Sequence, residues 1–419
     1  MLCKNFLKRT IVSIVFLSLC ILFQTQSNAQ EKKLLRKQDY SKEIKDYKRS
    51  SLLVMSIDNS KNKFNEIIRN SFKDYEITDN FNDHSFDEDP FIQLMDSVKD
   101  KSTLVAQKLE ELGIAKKIVA RWFNRDSVKG FNLDLVKERG LYSASAFDIQ
   151  IADKTLRGSK LLEDAGENLI GNTFVIVNDF KYISKEELAE TVGGAMDFLL
   201  GRSNKTNQAI QGAIGKVAKG YVIKTTSYLF RLVWDDETST IFYRNHWVSE
   251  KNLDEDKVKA FNESDIFKLQ YIGKQDAWSN VFSIKYQQKT LEELIARSVV
   301  KASNKALAKL ERKFEVFRVK TPLISINPIA AKIGIKEGLQ RGDRYEVLEQ
   351  VVDENGKVTY NKVATIKVDK DKIWDNSYLP DEQPKTDLNY TIFKGKAKKL
   401  YPGMLIRYQK NVNLLNKFK

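Results

Sequence analysis

Cysteine is almost absent: the 419 residues contain two, Cys3 and Cys20, both within the first twenty positions. The chain beyond them therefore has no disulfide, no thiolate metal site and no cysteine nucleophile. Histidine is as scarce, with His84 and His246 alone, so a zinc centre built on imidazole and thiolate lacks its ligands. Six prolines and 19 glycines exclude collagen-like and low-complexity chains. No G-x-S-x-G, H-E-x-x-H, Walker A or G-x-G-x-x-G pattern occurs, and no internal repeat is visible. Past the first thirty residues, no charge-free apolar run approaches the ~20 residues that a bilayer needs.

What is present is an ordinary core-forming composition, 42% hydrophobic and 30% charged, with 70 basic against 56 acidic residues and a net charge of +14. The length fits two or three domains. A basic surface bears on anionic partners, not on fold.

The first 29 residues read as a secretory signal. Lys4, Lys8 and Arg9 form the positive start, Ile11 to Phe23 is apolar except for two serines, and Ser27-Asn28-Ala29 offers small residues for cleavage between Ala29 and Gln30. A lipid anchor at Cys20 is the rival reading, weakened because Leu19 is not small; a retained anchor helix is another. Cleavage removes three basic residues and leaves +11. The expected location is the periplasm or the outer-membrane periphery, with an extracellular destination as the alternative.

Residues 30–50 form a basic leader with eight Lys and Arg. An N-terminal α/β domain is expected over 51–160. It opens with a strand at Leu52 to Ile57, a helix carrying Phe64, Ile67, Ile68 and Phe72, and a strand at Tyr75 to Thr78. Phe91 to Phe123 reads as helix broken at Gly113, followed by a short helix from Asn132. A helix-plus-antiparallel-sheet domain is expected over 161–320. Its parts are a strand at Thr173 to Val177, a helix capped by Ser184, a Gly/Ala-rich helix from Asn207, and a hairpin from Tyr221 to Trp247 turning at Asp235-Asp236-Glu237. Strands at Ile266 to Ile272 and Val281 to Tyr286 follow. Thr290 and Glu293 form a capping box for a helix to Phe314, with an apolar stripe through Leu294, Ala302, Ala306 and Leu310. A small β domain over 321–410 contains a hairpin around Asn355-Gly356, and 411–419 is a basic tail. The fold class is α+β, ending in a small β-barrel-like module.

Candidate chemistry is thin. Asp83 to Asp89, which includes His84, lacks the alternation and glycine of a calcium loop and reads as a solvated acidic loop before Pro90. Ser298-Val299-Val300-Lys301 matches S-x-x-K without its companion motifs, and the polar face of a helix explains it. Adjacent carboxylates at Glu110-Glu111, Asp235-Asp236 and Glu292-Glu293 do not supply the facing geometry of a glycosidase. The hairpin interleaves aromatic and basic side chains, so Trp234, Tyr243, Arg244, His246 and Trp247 form a candidate ligand face suited to sugar rings, with cross-strand packing as the plain alternative. Ser97 and Ser127 sit in D-S-apolar triplets that resemble O-glycosylation acceptors of exported Bacteroidetes proteins. No cofactor or metal site is expected.

Gly338-Leu339-Gln340-Arg341-Gly342-Asp343, with Tyr345-Glu346-Val347 and Val363 to Val368, resembles the small β-barrel closing the flagellar assembly protein T family. Leu52 to Thr78 is similar to the opening strand-helix-strand of curli-secretion-type periplasmic folds. These resemblances cover about a quarter of the chain and imply envelope assembly without catalytic residues. The expectation is an exported, non-enzymatic, envelope-associated binding or scaffolding protein. Its expected partners are an anionic envelope surface, glycan or other envelope proteins, with no nucleic acid and no transmembrane span. A periplasmic hydrolase acting on glycan or peptide through unidentified carboxylates is the alternative.

Overall fold

The structure is a computed structural model that describes residues 48, 50–59, 64–73, 75–78, 80–94, 101–125, 130–143, 169–183, 220–249, 252–282, 290–352, 358–377 and 387–410. The cleavage site at Ala29 and Gln30, the leader up to 47, the helices expected from Ser184 and Asn207, the Asn355-Gly356 turn, the tail, and both Ser97 and Ser127 lie outside these residues.

Helices combine with two sheets, as the α+β class requires. The first sheet contains β1 (Ser50–Asp58), β2 (Phe81–Asp83), β3 (Phe91–Gln93), β4 (Thr173–Ile183), β5 (Gly220–Leu232) and β6 (Leu269–Phe282). Its order is β2-β1-β4-β5-β6, with β3 also pairing β1. β1 runs parallel to β2, β3 and β4, whereas β4, β5 and β6 are antiparallel. The pairing of Ser51 to Ser56 with Thr173 to Asn178 joins segments 51–160 and 161–320 in one sheet.

β1 is apolar on both faces because both are covered, the usual reason for a continuous hydrophobic run in a parallel strand. Leu53, Met55 and Ile57 enter one core with α2 (Ser102–Glu111), α3 (Ile114–Trp122), α4 (Asp134–Ser143) and α6 (Glu255–Glu263). Leu52 and Val54 enter the opposite core beneath α1 (Asn65–Lys73) and α7 (Leu291–Lys313). α7 begins with the capping box read from the sequence: Thr290 accepts the Glu293 N–H, and Glu293 accepts the Thr290 N–H.

Several expectations need correction. Tyr75 to Thr78 is not a strand; β2 begins at Phe81, whose N–H donates to the Thr78 carbonyl at 3.1 Å. Phe91 opens β3, and helix begins at Ser102. The two strands expected at Ile266 to Ile272 and from Val281 are one strand, β6 from Leu269 to Phe282, which runs through a bulge beside Gly273, and 283–286 lie outside the described residues. At Gly273 φ is +151° and the Phe314 ring occupies the space that a Cβ would need.

The hairpin is also wrong in its second arm. β5 is a strand, but Asp235 accepts the Thr238 N–H at 2.8 Å and caps a short helix, α5 (Asp236–Ile241), followed by a π turn at Phe242–His246. β6, not Thr238 to Trp247, is the partner of β5.

The second sheet holds β7 (Thr321–Ile326), β8 (Ile329–Ala331), β9 (Arg344–Val352), β10 (Val358–Val368), β11 (Thr391–Lys394) and β12 (Leu405–Gln409). It closes on itself in the order β10-β11-β8-β7-β12-β9 around a core that includes Leu323, Val347, Ile366 and Ile406. α7 is tied to this sheet by Arg312, which donates to both Asp343 carboxylate oxygens (2.6 and 3.1 Å), the Gly338 carbonyl (3.0 Å) and the Tyr408 hydroxyl (2.9 Å). Among the described residues, no helix is long and apolar enough to cross a membrane.

Candidate functional site

β1 has two short parallel neighbours on one edge, and they do not meet. The β2 ladder ends where the His84 N–H donates to the Leu52 carbonyl (3.0 Å), and the β3 ladder begins where the Ser56 N–H donates to the Pro90 carbonyl (2.9 Å). Even-numbered residues of β1 turn their backbone groups toward this edge, so the Val54 N–H and C=O face the gap between the ladders. In the β3 register the donor opposite the Val54 carbonyl would be residue 90, and proline has no N–H.

The gap opens into a cleft of about 250 Å³. Phe72, Tyr75 and Ile77 wall it on the α1 side, and Phe86 and Ile114 on the α3 side. Its lip is the exposed run Asp87-Glu88-Asp89. Two adjacent lip residues are pulled to opposite faces of the sheet: Glu88 pairs with Lys117 of α3 and Asp89 with Arg69 of α1, each at 2.6 Å. Arg69 also binds Asp58 at the end of β1 (2.6 Å) and lies 4.2 Å over the Phe91 ring. These pairs hold the lip away from β1. The Tyr75 hydroxyl turns from the cleft to donate to Asn304 of α7 (3.0 Å), and burial raises its pKa, so the phenol stays neutral.

His84, at the foot of the lip, is fully buried, which corrects the solvated reading of its segment; Asp83 and Asp87 to Asp89 remain exposed. Arg139 donates to its Nδ1 (2.7 Å), so the proton sits on Nε2 and is donated to the Ile118 carbonyl (3.0 Å). Burial and Arg139 hold the imidazole well below its usual range. The guanidinium also donates to Ser51 Oγ (3.0 Å) and the Asp83 carbonyl (2.6 Å), and it stacks 4.6 Å over Trp122. Burial, then Arg121, lowers the Arg139 pKa to about 10, so it remains a cation at neutral pH. This cluster fixes the start of β1 and the end of β2; its polar atoms are turned inward.

A buried charge pair, Lys101 with Asp179 at 3.2 Å, lies where β4 passes the start of α2. Asp179 Oδ1 has no hydrogen-bond donor among the described residues. On the other face, Asn178 accepts from Ser227, and Ser56 donates to the Asn178 carbonyl (3.0 Å), tying β1, β4 and β5. Among the described residues no three His, Cys, Asp or Glu side chains converge.

The expected ligand face is distributed differently. Trp234, Tyr243 and Trp247 pack into the aromatic core around Phe242 and Phe123, with ring centroids 4.6–6.0 Å apart. His246 is buried against Phe261 and Phe267, and burial lowers its pKa. Arg244 alone of the five is exposed. The π turn directs these rings inward, so they do not form one open surface. The residues that do line an opening were not anticipated; Pro90, read only as the end of an acidic loop, is a signal of an interrupted ladder once a strand follows it.

Compared with known proteins, the chain matches no family model and no curated protein.

Proposed function

We propose that the protein is an exported, non-enzymatic binding protein of the cell envelope, with the β1-edge cleft as its ligand-holding element. The observation that carries the binding reading is the cleft's chemistry. Apolar side chains of Phe72, Ile77, Phe86 and Ile114 share its lining with Lys73, Tyr75 and Ser85, its edge presents one backbone donor and acceptor, and its rim charges at Glu88, Asp89 and Lys117 are engaged in ion pairs. Such a lining recognises by shape and hydrogen bonding, without a poised acid or base. The charged start, apolar run and Ala29 boundary support export. The C-terminal closed sheet, read as a barrel-like module resembling those of envelope-assembly proteins, supplies the scaffold. The basic leader provides peripheral attraction to anionic envelope material.

The test uses the protein recovered from fractionated cells. Its N-terminus should be Gln30 in the envelope fraction; an intact Met1 in the cytoplasmic fraction overturns export. The same protein should bind the apolar fluorophore 1-anilinonaphthalene-8-sulfonate at one site. Ser85→Trp, which places an indole on the cleft wall, should abolish that binding without lowering the thermal midpoint. Equal binding by both proteins overturns the cleft as the site.

A further inference from the structure

Independently of the cleft, and resting on the envelope reading only for its setting, we propose that the outer wall of the closed sheet is a docking surface for a bilayer bearing anionic lipid headgroups. The wall carries a row of cations in direct register. Arg344 of β9 lies opposite Lys367 of β10, and Lys367 lies opposite Lys394 of β11. Their chain neighbours Tyr345, Ile366 and Phe393 enter the core, so alternation along each strand turns the three cations outward, where all are exposed. Like charges directly opposite one another destabilise a sheet. Lys394 has a carboxylate to offset its charge, Asp369 at 3.1 Å. Arg344 and Lys367 have no ion-pair partner among the described residues. Glu346, two residues along the same face of β9, is already held by Lys362 and Arg407, each at 3.0 Å.

The strand ends add to the same field. Arg341, Lys370 and Lys410 extend from the end of the sheet that carries the row and are exposed, while Asp371 and Lys372 offset each other. Adjacent strands lie ~4.8 Å apart, so the row spans about one Debye length at physiological salt and its charges act together. An anionic partner removes the repulsion that the sheet alone carries. The outer wall of a closed sheet is convex and its long basic side chains project from it, so it meets a flat array of headgroups instead of enclosing a polymer.

The experiment is sedimentation of the full processed protein with vesicles of phosphatidylglycerol and phosphatidylcholine, against vesicles of phosphatidylcholine alone. The parent should bind only the anionic vesicles, and less as salt rises. Each basic residue beside an anionic surface is worth about fivefold in partition, so Arg344→Gln with Lys367→Gln should weaken binding about 25-fold. The thermal midpoint of that variant should hold or rise. Arg244→Gln with Lys259→Gln removes the same charge from exposed sites outside the closed sheet and should keep most of the affinity. Both variants retain the basic leader, so its attraction cancels from the comparison. Equal weakening in the two double variants, or equal binding to the two kinds of vesicle, overturns the docking surface. Binding of the parent to soluble dextran sulfate but not to vesicles also overturns it, and assigns the row to a chain-like polyanion. Failure to bind vesicles overturns this inference in any compartment, whereas cytoplasmic protein bearing Met1 overturns the envelope reading and leaves the vesicle result standing.

Discussion

The ammonium of Lys309 on α7 donates to the backbone carbonyl of Asp276 on β6, 2.8 Å away. It is the middle of three such contacts, between Lys305 and the Trp278 carbonyl and between Lys313 and the Lys274 carbonyl, both 3.2 Å. Four residues of helix advance about 6 Å and two residues of strand about 6.8 Å, so lysines spaced by four stay in step with carbonyls spaced by two. β6 is the last strand of its sheet, and an open edge invites pairing with another chain.

Replacing Lys305, Lys309 and Lys313 together by alanine should leave the fold intact but expose that edge. Each contact is exposed and contributes no more than about 1 kcal/mol. Light scattering after size exclusion should show concentration-dependent association for the triple variant and none for the parent. A monomeric triple variant would mean that the lysines do not guard the edge.

Lys101→Met should cost about 3–5 kcal/mol, because it strands the Asp179 carboxylate, 3% exposed, in the interior. Lys101→Met with Asp179→Leu should recover most of that loss. Urea unfolding midpoints at constant slope measure both; a double variant no better than the single one would show that packing, not charge, holds the site.

His84 makes stability depend on pH. Its native pKa is lowered by burial and by Arg139, whereas the unfolded imidazole takes up a proton near 6.5. Below that value the unfolded state binds more protons, so stability falls as pH falls. From pH 6.5 to 5 the contribution approaches about 1.4 kcal/mol per unit. His84→Gln should start less stable and lose less over this interval. Parallel losses in both proteins would assign the dependence to other groups.

Gly338 has φ of +77°, and a Cβ there would lie 2.7 Å from the Ala308 methyl on α7. Gly338→Ala should destabilise by about 1–3 kcal/mol through strain and the forced separation. Arg312→Ala should act at the same joint by leaving Asp343, 6% exposed on its side chain, without its bidentate partner. Thermal unfolding reads both. A neutral Gly338→Ala would mean that the joint yields to accommodate the methyl.

Elements with strong local chemistry were legible in the sequence. α7 carries its cap and stripe within 25 residues, and β1 declares itself as an apolar run. The second arm of the hairpin was not, because Asp235 suits a turn and a helix cap equally. Phe242 and Trp247 are aromatic to fill a core, not to alternate along a strand. His84 was hidden by exposed acidic neighbours, since its burial depends on Arg139, 55 residues away. The cleft was least legible: it is a gap between two registers, and no residue type marks a gap.

The hydrogen bond from Ser56 to the Asn178 carbonyl spans 122 positions, so the pairing of β1 with β4 closes a long loop on folding. β1 lies far ahead of β4 and β5 in the chain, and non-local parallel pairing is slow to close. During that interval its central apolar residues lie bare, the kind of surface on which incomplete chains aggregate. β2 and β3 follow β1 far sooner, and they reach only its two ends. The middle of the strand is thus left uncovered in the nascent chain by the same two ladders that leave Val54 open in the finished one.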